Sequence, residues 1–238
     1  MRKAIIIGAS SGIGKGLALL LAENKYQIGI TGRRTELLHE LKNQIPGQFL
    51  TKTFDISDYE NTVIMLDELV AELGGLDLLI ISAGTGDINQ QLDFAVEKNT
   101  IDTNVLGFTR IADWAFNYFE KQRKGQLVAI SSIGGLRGSG QAPAYNASKA
   151  FQINYLEGLR QKTHRLKVPV YITDIRPGLI DTEMAKGEGL FWVMPVEKAV
   201  KQIYRAIIRK KKIMYVTRRW RIIAFILKRL PVFIYDRM

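Results

Sequence analysis

The stretch AYNASKA, residues 144–150, sets Tyr145 and Lys149 four positions apart among mostly small side chains. On a helix, positions i and i+4 are neighbours on one face, about 6 Å apart along the axis. A phenol with its ordinary pKa of about 10 is a usable acid but a poor base at neutral pH. A cation beside it stabilises the phenolate and lowers that pKa. The pair is therefore suited to exchanging a proton with a developing alkoxide. Asn146, Ala147, Ser148 and Ala150 leave room for a bound group against the same face. The same spacing also occurs on ordinary solvated helix faces, so the rest of the chain must decide between the two readings.

A second cluster lies at the other end of the chain. In IIIGASSGIGKG, residues 5–16, the glycines at 8, 12 and 14 fall where an apolar run gives way to a helical pattern. A tight turn needs glycine, and a pyrophosphate approaches the N–H groups of a helix N-terminus only where no Cβ stands in the way. The spacing is G-x-x-x-G-x-G, not G-x-G-x-x-G, yet its position after a first strand points to a dinucleotide. Residues 8–12 also fit G-x-S-x-G, the nucleophile elbow of serine hydrolases. That chemistry needs a histidine base. Only His39, on an amphipathic helical stretch, and His164, near a helix end, are available, and neither falls in a loop after a strand. After the second apolar run comes Thr31-Gly32-Arg33-Arg34. An acid at the end of that strand would bind the ribose hydroxyls, whereas arginine accommodates a 2′-phosphate. The segment predicts NADP(H) in preference to NAD(H), with a solvated arginine pair as the alternative.

Alternating apolar runs and amphipathic stretches must position these residues. Strands are predicted at 3–8, 26–31, 48–54, 76–82, 125–132, 168–175 and 213–217. Helices are predicted at 13–24, 35–44, 58–73, 145–166 and 195–209. A long helical region carries Ile101, Val105, Phe108, Ala112, Ala115 and Phe119 at helical spacing. Strands alternating with helices imply crossover connections and a parallel sheet covered on both faces.

Taken together, these motifs resemble the short-chain dehydrogenase/reductase family over roughly residues 3–217. Gly8, Gly12 and Gly14 match its glycine loop, with Ile7 in place of a threonine. Asp55 matches the acid that touches the adenine, and Ser82-Ala83-Gly84 matches N-A-G with serine for asparagine. Asn104, Ser132 and Tyr145-x-x-x-Lys149 match the catalytic set, and Pro177-Gly178 with Thr182 matches the segment on the nicotinamide side. The resemblance implies a single Rossmann-like, doubly wound α/β sheet of about seven strands with helices on both faces. It implies that Tyr145 supplies the proton and Ser132 holds the substrate oxygen. Lys149 would lower the tyrosine pKa and hold the nicotinamide ribose, and Asn104 would anchor a water-and-lysine relay. Cofactor contacts are expected from Gly8, Ser10, Ser11, Gly12, Ile13, Gly14, Arg33, Arg34, Asp55, Ile56, Ala83, Gly84, Tyr145, Lys149, Pro177, Gly178 and Thr182. No metal site is expected. The expected activity is NADPH-dependent interconversion of a ketone and a secondary alcohol by a homodimer or homotetramer. A cofactor-binding regulator without activity is the alternative, but it would have no use for Ser132 and Tyr145.

Composition bounds the remainder. The 238 residues, 47% hydrophobic and 24% charged, suit one globular domain, and the absence of cysteine removes disulfides and thiolate metal sites. The apolar run near the start is too short for a signal-peptide core. No run approaches the ~18 residues of a membrane span, so a cytoplasmic protein is expected. The resemblance implies that residues 179–195 form a substrate lid. Gly187 and Gly189 permit hinging, and Leu190, Phe191, Trp192, Val193 and Met194 suit either an apolar substrate or packing on the body. The net charge of +11 is uneven. Residues 1–204 hold 23 basic and 22 acidic side chains, whereas residues 205–238 hold 11 and 1. The chain thus divides into a catalytic domain, 1–217, and a basic amphipathic tail helix, 218–238. Trp220, Ile223, Leu227 and Leu230 share one helical face near Arg218, Arg219, Arg221, Lys228 and Arg229. That pattern predicts peripheral contact with an anionic membrane and no nucleic-acid partner, with packing on protein as the rival.

Overall fold

Seven apolar runs form strands β1 (Lys3–Ile7), β2 (Gln27–Gly32), β3 (Phe49–Thr53), β4 (Leu78–Ile81), β5 (Gly125–Ile130), β6 (Val170–Pro177) and β7 (Ile213–Val216). The structure is a computed structural model and describes residues 1–184 and 192–237. Gly187, Gly189, Leu190 and Phe191 of the expected lid therefore lie outside the described residues. All pairings are parallel, in the order β3-β2-β1-β4-β5-β6-β7. The expected Rossmann-like, doubly wound sheet is borne out.

Helices α1 (Gly12–Glu23), α2 (Thr35–Gln44) and α7 (Val196–Ile208) cover one face. The opposite face carries α3 (Tyr59–Leu73), α5 (Phe108–Lys121) and α6 (Pro143–Leu166). The period-2 geometry of a strand divides β1 between the two cores. Ala4 and Ile6 enter the first, Ile5 and Ile7 the second, and all four are fully buried. Ile7 lies level with Thr31 on one side and Ile81 on the other. The loops leaving β1, β2 and β4 therefore emerge together, at the point where the strand order reverses. In open α/β sheets, ligands bind at such a point.

The long helical region is broken. Helix α4 (Phe94–Ile101) passes through a π-helical turn, Asp102–Gly107, before α5 begins. Helix α6 starts at Pro143, two residues earlier than the pattern suggested, because proline at the first helical positions loses no intrahelical hydrogen bond.

The tail forms two helices, α8 (Arg218–Arg229) and α9 (Val232–Tyr235), separated by Leu230-Pro231. Trp220 and Ala224 are buried, and Trp220 lies against Gly178 so closely that a Cβ there would come within 2.2 Å of the indole. The face expected to enter lipid is thus turned onto the protein itself, since burial against the body was open to it within the same chain.

Candidate active site

The glycine loop is shaped by contacts that exclude side chains. Gly8 (φ 83°) and Gly12 (φ 54°) occupy the left-handed region, which other residues enter at a cost. A Cβ on Gly8 would meet Ala83 N at 2.6 Å, and one on Gly14 would meet the Gly8 carbonyl at 1.9 Å. The loop therefore folds tightly between the start of α1, which includes Ile13, and the Ser82-Ala83-Gly84 turn after β4. Both Ser82 N and Ala83 N donate to the Ile7 carbonyl. Gly12 also borders Thr182, whose Cγ2 would lie 3.2 Å from an added Cβ. The end of β6 at Pro177 and the segment that follows it from Gly178 are in this way brought to the same rim.

The two arginines have different settings. Arg34 reaches across the loop, donating to Ser10 Oγ at 3.0 and 3.2 Å and to Ser11 Oγ at 2.6 Å. It also pairs with Glu183 at 3.1 Å. Arg33 is more exposed and donates to Asp55 at 3.4 Å. Burial raises the Asp55 pKa, but hydrogen bonds from the Ser57 N–H and hydroxyl, together with Arg33, outweigh it and hold the carboxyl below its usual range. Next to it, Ile56 is buried and its carbonyl closes on Gly107 in the π-turn. Ser10 is thus engaged by an arginine and not by a histidine base. His164 lies in the last turn of α6, far along the helix from Tyr145, and His39 is on α2. The Ser10 hydroxyl has no histidine as a hydrogen-bond partner among the described residues. Among the described residues, no cluster of His, Asp or Glu could hold a metal ion.

Tyr145 and Lys149 stand on the first turns of α6. Ala142, at the N-cap, offers no side-chain acceptor. Glu97, on α4, supplies it instead by accepting from Ala144 N at 3.0 Å. Ser132 follows β5 by two residues and caps a short 3₁₀ turn, Ile133–Leu136, accepting from Gly134 N at 3.0 Å. Asn146 ties that turn to α6 by donating to the Gly134 carbonyl at 2.6 Å. Burial raises the Tyr145 pKa, and a hydrogen bond with the Ser132 side chain opposes the rise. Gly86 lies flat on the tyrosine ring, where a Cβ would come within 2.2 Å of it.

Lys149 is 3% exposed. Its ammonium donates to the Ile130 carbonyl and to Gln152 Oε1, both at 3.1 Å, and lies 5.8 Å from the Tyr145 ring centre. Burial lowers its pKa to about 8 even though Asp174 favours the charged form. Asp174 is itself buried, gripped by Arg176 through two contacts of 2.7 Å, and accepts from the Ser131 hydroxyl.

Asn104 lies in the π-turn and is fully buried. Its side chain accepts from Thr85 N at 2.9 Å and donates to the Thr85 carbonyl at 2.6 Å and to Ser148 Oγ at 3.0 Å. Its backbone carbonyl accepts from Gln152 Nε2 at 2.9 Å. Gln152 therefore bridges Lys149 and Asn104 directly. Gln152, Glu97 and Asp174 were not anticipated from the sequence. Gln152, at i+3 from Lys149, was the one with a local signal, being a polar residue on the same helix face. The two sets meet at Gly84, where a Cβ would stand 3.2 Å from Asn104 Oδ1 and 3.3 Å from Lys149 Nζ.

The glycine loop packs on the Ala83 turn, and the next residue, Gly84, lies against Asn104 and Lys149, so the two sets share one end of the sheet. Helix N-terminal N–H groups are available for a pyrophosphate, and a cation stands beside two hydroxyls.

Comparison with known proteins agrees with this geometry. A family model described as short chain dehydrogenase matches residues 2–190. An uncharacterized oxidoreductase of Myxococcus xanthus is 33% identical over 215 residues, 87% of this chain and 84% of that protein. One from Mycobacterium tuberculosis is 32% identical over 219 residues, 88% of this chain and 85% of its own. Among solved structures, ElxO with NADP bound matches with a TM-score of 0.79 at 23% identity, covering 90% of this chain and 96% of ElxO. A short-chain dehydrogenase from Streptomyces avermitilis matches at 0.83 and 21%, covering 96% and 92%.

Proposed function

This chain belongs to the short-chain dehydrogenase family and is an NAD(P)-dependent oxidoreductase, and we propose that it interconverts a ketone and a secondary alcohol with NADP(H), on an apolar, lipid-like substrate. The observation that carries the reading is the buried Lys149 ammonium 5.8 Å from the Tyr145 ring centre, with the Ser132 side chain opposing the rise that burial gives the tyrosine pKa. A bound nicotinamide cofactor would supply the hydride in reduction and accept it in oxidation. The chain itself manages the proton and the oxygen. Ser132 donates a hydrogen bond to the substrate oxygen and stabilises the charge that develops there. Tyr145 delivers the proton to that oxygen, or removes it in the reverse direction. Lys149, held against the Ile130 carbonyl and Gln152, keeps a positive charge beside the phenol, so that phenolate is tolerated when it forms. Asn104 and Gln152 fix the lysine from behind.

The cofactor choice follows from the end of β2. Gly32 stands where an acid would bind ribose hydroxyls, and Arg34 stands over Ser10 and Ser11. That trio supports a 2′-phosphate, and ElxO, a relative in fold, was solved with NADP. Exposed Trp192 and Val193, in the segment expected to form the lid, support an apolar substrate. Exposed Phe94, Ile101 and Phe151, on α4 and α6, support assembly into a homodimer or homotetramer. A cytoplasmic location is part of the same proposal.

The test is NADPH consumption against a panel running from small ketones to long-chain 3-oxo lipids, with dissociation constants for both cofactors. NADPH is expected to bind more tightly than NADH. Arg34→Ala is expected to weaken NADPH by about 1.5–3 kcal/mol and NADH much less, because only NADPH loses a charge-assisted contact. Equal wild-type affinities would remove the cofactor assignment, and no turnover across the panel would remove the reaction.

A further inference from the structure

Helix α8 carries apolar side chains on two opposite faces. At about 100° per residue, Trp220, Ile223, Ala224 and Leu227 share the face packed on the body. Ile222, Phe225 and Ile226 centre the opposite face and are 64%, 57% and 49% exposed. Val232 and Phe233 of α9 follow in the chain at 63% and 66%. Single exposed apolar residues are ordinary, but a run of neighbours at i, i+3 and i+4 marks a contact surface.

The charge around this ridge is predominantly positive, with Asp236 after α9 the single acidic residue of 205–238. Helix α8 contains no acidic residue, and Arg221 and Lys228 are exposed along its flank. The Arg229 guanidinium stacks 3.8 Å above the Phe225 ring. Beside the start of α8, a groove of about 870 Å³ runs between α7 and β7. Lys198, Arg205, Arg209, Lys211 and Arg219 line it over Met194 and Met214, with no carboxylate among the described lining residues.

A second copy of this chain would set these cations against their own counterparts, a repulsive match. A nucleic acid would use the cations and leave the apolar ridge unmatched. An anionic bilayer satisfies both, with phosphates on the basic flanks and the ridge in the headgroup–acyl boundary. No helix among the described residues is long and apolar enough to cross a membrane, so α8 lies along the surface.

We infer that α8 and α9 dock this protein on anionic lipid bilayers through Ile222, Phe225, Ile226, Val232 and Phe233, flanked by arginine and lysine. Docking there orients the site. Helix α8 packs on the 3₁₀ turn that follows Ser132. The Tyr235 hydroxyl of α9 donates to the Gly138 carbonyl, and its ring lies under Arg137. The side of the site that carries Ser132 therefore sits next to the lipid. Resting on the proposed apolar substrate, a ketone or alcohol dissolved in the bilayer would reach Tyr145 without first entering bulk water.

The test is co-sedimentation of the full chain with vesicles of phosphatidylglycerol and phosphatidylcholine, and with phosphatidylcholine alone, at low and high salt. Two double variants, Phe225→Ser/Phe233→Ser and Arg221→Glu/Lys228→Glu, change only exposed side chains, and their folding is checked by thermal melting. The wild type is expected to pellet with anionic vesicles at low salt. Each variant, and high salt, is expected to weaken the partition by at least about tenfold. Wild type left in the supernatant with anionic vesicles at low salt overturns the inference, as does a Phe225→Ser/Phe233→Ser protein that pellets unchanged. An oligomer that falls apart in that variant also overturns it and assigns the ridge to a subunit interface. Binding is read without cofactor or substrate, so its failure leaves the reductase reading standing, and failure of turnover leaves the docking result standing.

Discussion

At the scale of single residues, the site joins one acid whose pKa burial raises to one cation whose pKa burial lowers. Tyr145→Phe keeps the ring that Gly86 packs against and removes only the hydroxyl. Turnover is expected to fall by ~10²–10⁴-fold or more while the NADPH dissociation constant stays near wild type. A variant that still turns over normally would take the proton away from Tyr145. Lys149 makes a separate prediction about stability. Its folded pKa is about 8, against 10.5 for the free side chain. Between those values the unfolded chain binds more protons than the folded one, so the burial penalty is fully present below about pH 8 and fades as pH rises toward about 10.5. Urea unfolding of the cofactor-free protein is therefore expected to shift the difference between wild type and Lys149→Met by about 2 kcal/mol in favour of wild type from about pH 7 to about pH 10. A difference that does not change with pH would mean that the ammonium is solvated. Tyr145 and Lys149 were legible in the sequence because their relation is local, four residues on one helix. Gln152 and Asp174 were not singled out, because their meaning depends on groups held beside them by other elements.

At the scale of elements, periodicity identified the pieces but not their faces. The sheet and the major helices follow from alternating apolar runs. The π-turn at Asn104 did not, since a single widened turn hardly disturbs a helical pattern. Glu97 capping α6 across 47 positions was equally invisible. In α8 both faces are apolar, so hydrophobicity alone could not say which one meets the body. The answer lies at Gly178, where a missing Cβ admits the Trp220 indole. Trp220→Ala would leave a void beneath α8 and is expected to cost ~3 kcal/mol or more in urea unfolding. A loss below about 0.5 kcal/mol, the range of ordinary surface substitutions, would show that α8 is not anchored there.

At the scale of the whole molecule, nearly all of the net +11 comes from residues 205–238. Like charges gathered on one side repel, and salt screens them over a Debye length of about 10 Å at 0.1 M. The melting temperature is therefore expected to rise by a few degrees between about 0.05 and about 0.5 M salt, roughly 1 kcal/mol for a chain of this size. A temperature that falls with salt would mean that ion pairs such as Lys52 with Glu68 and Glu72 outweigh the repulsion. The same cations guard a vulnerable border of the sheet. Strand β7 ends the strand order at one side, and its outer backbone groups are a template for another strand. It is only four residues long, and Lys210, Lys211 and Lys212 come immediately before it. Short length and lysine are the devices by which natural sheets avoid edge-to-edge aggregation. The basic run therefore also serves as a gatekeeper, and neutralising it by lysine acetylation would leave β7 open to fibre-like stacking.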